Sequence, residues 1–173
     1  MPKGSRYPAA MAEAPGSLWL DADQQRSWRA FAVGVTLLLD RLDADLQTAF
    51  DLSLTEYEIM VRLSERPQRS MRMAQLADAL AHSRSRVTHT VARMEKARLV
   101  DRAISPDDGR GILCTLTDRG YDLLVEAAPV HVRGVRDCLV DVASREDFAA
   151  LGRVMNAVAD RLIVRHPEAD LRP

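Results

Sequence analysis

Two short amphipathic segments with almost nothing between them constrain this 173-residue chain more than any other feature. "MRMAQLADAL" (Met71–Leu80) sets Met73, Leu76, Ala77 and Leu80 on one side at helical spacing. After a break at Ala81 and His82, Ser83 offers an N-cap, and Val87, Val91 and Met94 then recur at helical steps to about Ala97. Ala77 is small where two such helices would cross, Leu80 closes the first, and Val87 and Val91 pack the second. Two short helices joined this tightly predict a helix-turn-helix.

The flanking sequence supplies the layers around it. Trp28, Phe31, Val35, Leu38, Leu39, Leu42 and Leu46 fall at steps of three and four, which predicts one long helix over Asp23–Phe50. "LSLTEYEIMVRLSERP" offers Thr55 as N-cap with Glu58 as its capping-box partner, for a helix through Ile59, Met60 and Leu63 that stops near Pro67. Leu99–Ile104 and Ile112–Leu116 read as strands, with Pro106, Asp107, Asp108 and Gly109 as the turn of a β-hairpin. Helical periodicity returns at Asp118, with a kink or break expected at Pro129. A last helix, N-capped by Ser144 with Asp147 three residues on, presents Phe148, Leu151, Met155, Val158 and Leu162. The fold class is mainly α with one small antiparallel hairpin.

Composition narrows the function classes. Aromatic residues are only 5%, so the core must be built mostly from Leu, Val, Ala and Met. No apolar run approaches the ~18 residues of a membrane helix. The opening "MPKGSRYPAAMAEAPGS" lacks the apolar stretch of a signal peptide and reads, over residues 1–20, as a disordered tail. Cys114 and Cys138 make no multi-bridge framework, so a reducing cytoplasm and inert buried thiols are expected. The histidines and cysteines lack metal-ligand spacing, so no metal is expected. A Gly-rich phosphate loop, a nucleophile elbow and paired catalytic carboxylates are all missing, so neither an enzyme nor a cofactor is expected.

Charge points elsewhere. Arg66–Arg119 holds 11 basic and 6 acidic residues, against 13 and 19 in the remainder, a basic centre inside a chain of net charge −1. On a wheel of the second short helix, Val87, Thr90, Val91 and Met94 share one side. Ser85, Thr88, His89, Ala92 and Lys96 take the other, with Arg86 and Arg93 at its edge. Short hydrogen-bonding side chains rimmed by cations suit a DNA major groove: the short ones read base edges and the cations meet phosphates. Ser83, Arg84 and Ser85 stand at the helix N-terminus, where unpaired backbone N–H groups favour phosphate. In "SPDDGR", Arg110 at the hairpin tip suits a narrow minor groove and Asp108 can brace it. Arg72, at the start of the first short helix, completes the candidate DNA contacts. The competing readings are a solvated face whose arginines pair with local carboxylates, and a binding or scaffolding protein that keeps the fold without reading DNA.

From about Leu54 to Gly120 the chain resembles the winged helix-turn-helix of the MarR family of bacterial regulators. The resemblance rests on "LTEYEIMVRL", "MRMAQLADAL", "SRSRVTHTVARMEKARLVDR", "SPDDGRG" and "LTDRG". It implies a 53–117 winged helix-turn-helix lobe within a single unit over 21–173, with dimerisation helices over 21–52 and 118–167. It implies a homodimer on a pseudo-palindromic double-stranded site, with Ser83 to His89 in the major groove and Arg110, oriented by Asp108, in the minor groove. It also implies a cytoplasmic repressor released by a small, phenolic or anionic ligand. The corresponding candidate pocket residues are Trp28, Phe31, Tyr57, Met60 and His131, with Arg29 or Arg102 for a carboxylate. Peroxide-sensing members keep a reactive cysteine near the N-terminus, and this sequence has none there. One departure stands out: where the family has glycine before "LV" at the end of the recognition helix, this chain has Arg98. Either the helix ends differently or the wing is set at a changed angle.

Overall fold

The computed structural model describes residues 19–105 and 111–169. In chain order it contains α1 (Ala22–Phe50), α2 (Leu54–Ser64), β1 (Ser70–Arg72), α3 (Met73–Ala79) and α4 (Arg84–Lys96). These are followed by β2 (Val100–Ile104), β3 (Ile112–Leu116), α5 (Asp118–Val135) and α6 (Arg145–Leu162). The chain divides into two compact units at Asp40, within α1. In the first, the Trp28 and Phe31 rings lie 5.9 Å apart and both are exposed. No helix among the described residues is long and apolar enough to cross a membrane.

The second unit holds the core. Leu46, Ile59, Met60, Leu63, Leu76, Val87, Val91, Met94 and Val100 are all fully buried. The wheel of α4 is borne out: Val87, Thr90, Val91 and Met94 are its buried residues. The two predicted strands pair antiparallel as expected, but the sheet has three strands in the order β1-β3-β2. β1 pairs Met71 with Cys114, so the helix expected from Met71 begins only at Met73. Three residues carry too little alternation to announce a strand, and β3 supplies the missing partner.

The α2 cap also differs from expectation. Ser53, not Thr55, is the N-cap, and Glu56, not Glu58, completes the box. The Ser53 N–H and hydroxyl donate to Glu56 Oε2 at 2.9 and 2.8 Å, and the Glu56 N–H donates to Ser53 Oγ at 3.3 Å. The next N–H, of Leu54, donates to Asp43 Oδ1 at 2.8 Å, which ties the helix start to α1 and fixes the register. Pro129 does not break α5, which runs through it to Val135 and passes into a wide turn over Arg136–Val140. Ser144 caps α6 as predicted, accepting from the Asp147 N–H at 3.0 Å.

Of the non-glycine residues with positive φ, Ala81 and Arg98 close the two helices of the helix-turn-helix. Ala81 has φ 49° between α3 and α4, with the Ala81 N–H bonded to the Asp78 carbonyl and the His82 N–H to that of Ala77. Arg98 has φ 59° after α4, with the Arg98 N–H on the Glu95 carbonyl and the Leu99 N–H on that of Met94. Both are Schellman closures, which usually employ glycine. The helix therefore ends as it would with glycine, and Arg98 bears the strain. Gly120 is required for a different reason: a Cβ there would lie 2.2 Å from the Leu99 carbonyl oxygen, where α5 starts against the beginning of β2.

Candidate nucleic-acid interface

The fold sets one face of α4 in the core and leaves the other in solvent. Ser85, Thr88 and His89 are exposed on that outer face, with Ser83, Arg84 and Arg86 exposed at its N-terminal end. Ser83 Oγ accepts from the Arg86 N–H at 3.3 Å and so caps the helix. Thr88 Oγ1 returns its proton to the Arg84 carbonyl at 2.8 Å, leaving the oxygen lone pairs outward as acceptors. The Arg86 guanidinium reaches Thr55 Oγ1 at 3.5 Å.

Arg93 has a different position from the other arginines. Its Nε donates to Glu56 Oε1 at 2.8 Å, although its side chain remains 64% exposed. Burial pushes the Glu56 carboxyl up, but the Arg93 guanidinium and the two Ser53 donors outweigh it and hold the group below the usual carboxylate range. One buried carboxylate thus caps α2 and anchors α4 at once. Sequence periodicity missed Glu56, because a charged residue facing inward breaks the apolar pattern. The signal that could have found it is the Ser-x-x-Glu spacing from Ser53.

Arg72 is partly buried at the junction of β1 and α3, where its N–H donates to Gln75 Oε1 at 3.3 Å. The base of the wing is well defined: the Ser105 N–H donates to the Gly111 carbonyl at 2.8 Å, and Ile104 pairs with Ile112. The predicted tip residues Asp108 and Arg110 lie outside the described residues.

The candidate ligand residues do not converge as one set. Tyr57 and His131 do meet, with ring centroids 4.6 Å apart, and line a cavity of about 430 Å³ together with Glu58, Arg62, Leu80 and Ala81. His131 Nδ1 is buried without a hydrogen-bond partner, and burial pushes its pKa down. Met60 is fully buried in the core and does not line this cavity. Arg102, on β2, is held by Glu95 at 2.5 Å, so the cation on the cavity wall is Arg62 instead. Trp28 and Arg29 line a separate shallow pocket with Trp19, Leu20 and Gln25 in the first unit, where Phe31 also lies. A larger cavity, about 600 Å³, adjoins the Glu56–Arg93 pair and also takes in Asp51, Arg119 and Leu123. Cys114 is buried and its thiol is pushed up to about 12 by burial, so at neutral pH it is an inert, protonated core residue.

Comparison with known proteins agrees with this architecture. A MarR family profile matches residues 50–111. The chain is 31% identical over 124 residues to the HTH-type transcriptional regulator PecS of Dickeya dadantii (strain 3937), covering 69% of this chain and 75% of PecS. Among solved structures, it is similar to Sco3205 of Streptomyces coelicolor, a MarR family transcriptional regulator crystallised in complex with DNA. The TM-score is 0.80 at 41% identity, over 83% of this chain and 94% of that one. AbsC, a MarR family transcriptional regulator from the same organism, superimposes with a TM-score of 0.78 at 38% identity, over 83% of this chain and 97% of AbsC. With a helix-turn-helix, a three-stranded wing sheet and relatives of this identity and coverage, the chain belongs to the MarR family of transcriptional regulators.

Proposed function

We propose that this protein is a sequence-specific double-stranded DNA-binding regulator that works as a homodimeric repressor in the cytoplasm and is released by a small phenolic or anionic ligand. The observation that carries the DNA reading is the division of α4: Val87, Val91 and Met94 are fully buried, while Ser85, Thr88 and His89 face solvent between Arg84, Arg86 and Arg93. Ser85, Thr88 and His89 meet base edges in the major groove, and Ser83, Arg84, Arg86 and Arg93 meet the backbone. Arg72 adds a backbone contact from the start of α3. Arg110, braced by Asp108, enters the minor groove from the wing. The crystallisation of Sco3205 with DNA supports the same reading.

Homodimerisation is supported by α6, which buries none of its residues and exposes Phe148, Val154, Val158 and Leu162. A second copy of the chain covers that stripe and gives a two-fold assembly on two half-sites. The effector reading is supported by the Tyr57–His131 cavity, which reaches the α3–α4 turn at Leu80 and Ala81 and carries the Arg62 guanidinium for an anion.

The test is selection from random duplex DNA, followed by affinity against salt. An inverted repeat with half-sites about one helical turn apart and a steep salt slope is expected. If no sequence enriches and binding stays weak at low salt, α4 carries only a solvated face.

A further inference from the structure

The short helical turn Pro167–Ala169 lies against α3, the first helix of the helix-turn-helix. Both oxygens of one carboxylate are engaged there. Arg66 Nη2 donates to Glu168 Oε2 at 2.7 Å, and Gln75 Nε2 donates to Glu168 Oε1 at 3.2 Å. The segment is fastened on either side of that carboxylate. The Glu168 N–H donates to Asp78 Oδ2 at 3.1 Å, His166 Nδ1 lies 3.0 Å from Asp78 Oδ1, and Arg62 Nη2 reaches the Ala169 carbonyl at 3.4 Å.

An exposed ion pair is ordinarily a weak structural device. What distinguishes this one is the geometry and place of its donors. A guanidinium and an amide N–H converge on two oxygens of one anionic centre, the arrangement that also receives two non-bridging oxygens of a phosphodiester. Gln75 stands in the first turn of α3, and in a helix-turn-helix that first helix crosses the DNA backbone. An acidic side chain therefore sits where an anionic strand would run.

We propose that Arg66 and Gln75 form a phosphate site beside the recognition helix, and that Glu168 occupies it in cis as an intramolecular competitor of the DNA backbone. This rests on the DNA-binding reading above. The segment adds no sequence information; it lowers affinity for every duplex alike, so that binding depends more on base contacts made by α4.

The test uses the full chain on a duplex of arbitrary sequence, because a phosphate contact does not need the operator. Glu168→Gln is expected to bind about two- to five-fold tighter at low salt, with a salt slope steeper by up to about 0.9 per subunit. Arg66→Gln should cost more affinity in the Glu168→Gln background than in the wild type, because only there is the site vacant. Glu126→Gln on α5 removes the same charge and should reproduce neither the gain nor the coupling; thermal unfolding checks that each variant is folded. Equal or weaker binding by Glu168→Gln, or an Arg66→Gln loss that is the same in both backgrounds, overturns the proposal and leaves Glu168 a structural strap. If no protein binds duplex at any salt, the DNA reading itself fails and the proposal falls with it.

Discussion

The recognition helix and the last helix are both amphipathic, yet the chain treats them in opposite ways. α4 lays Val87, Thr90, Val91 and Met94 into a core built by α2, α3 and the sheet, and no residue of α6 is buried at all. The helix-turn-helix obtains its apolar partners from within its own chain. The stripe of α6, Phe148 through Val158 to Leu162, stays exposed in the single chain. One helix is thus positioned by folding, and in our reading the other is positioned by assembly, so the spacing of two recognition helices depends on a surface far along the sequence from either.

Breaking the second half of that comparison should have the largest effect. Val158→Asp puts a charge on the α6 stripe, and desolvating it at a subunit interface should weaken association by about a hundredfold or more. Sedimentation should then show a monomer at concentrations where the wild type is a dimer, with folding of the lobe unchanged. An unaltered mass would remove α6 from the interface.

A change inside the lobe should be smaller and should appear as stability. Glu56→Gln removes the charge that holds Arg93 and weakens the α2 cap, at a cost of about 2 kcal/mol in chemical denaturation. The same group sets a pH dependence. Because its folded pKa lies below the ordinary 4.5, its contribution is complete above about pH 4.5 and is lost as pH falls through the lower folded value. The wild type should lose this increment on acidification and Glu56→Gln should not; parallel acid profiles would show that Arg93 is not anchored this way.

The smallest change should stabilise. Arg98 holds φ 59°, so Arg98→Gly removes a left-handed penalty of about 1 kcal/mol and should raise the unfolding midpoint. No gain would mean that the Arg98 side chain makes compensating contacts at the root of the wing.

These same residues show what was legible in the sequence. α4 was readable down to its Ser83 cap and its buried face, because apolar spacing and a capping residue report directly on a helix that packs within its own chain. The Arg98 departure was visible too, though only the backbone shows that the left-handed turn is kept. Glu56 escaped because Thr55-x-x-Glu58 offers the same box two residues later, and the bonds that favour the earlier start, from the Leu54 N–H to Asp43 and from Arg93 to Glu56, join residues distant in sequence. β1 escaped because its pairing with β3 joins residues more than forty positions apart, as Met71 with Cys114. The ligand set was the least legible, since Tyr57 and His131 meet through tertiary packing and line the cavity, while Met60, three residues from Tyr57 and buried in the same core, does not reach it.

The most direct test of the central claim is the base preference of Ser85→Ala and His89→Ala, measured on the selected operator against its single-base variants. If the outer face of α4 reads bases, each substitution relaxes discrimination by about 1–3 kcal/mol at one position per half-site and leaves non-specific affinity nearly unchanged. Preference intact at every position, with both variants folded and dimeric, would contradict the assignment of α4 as the reading element.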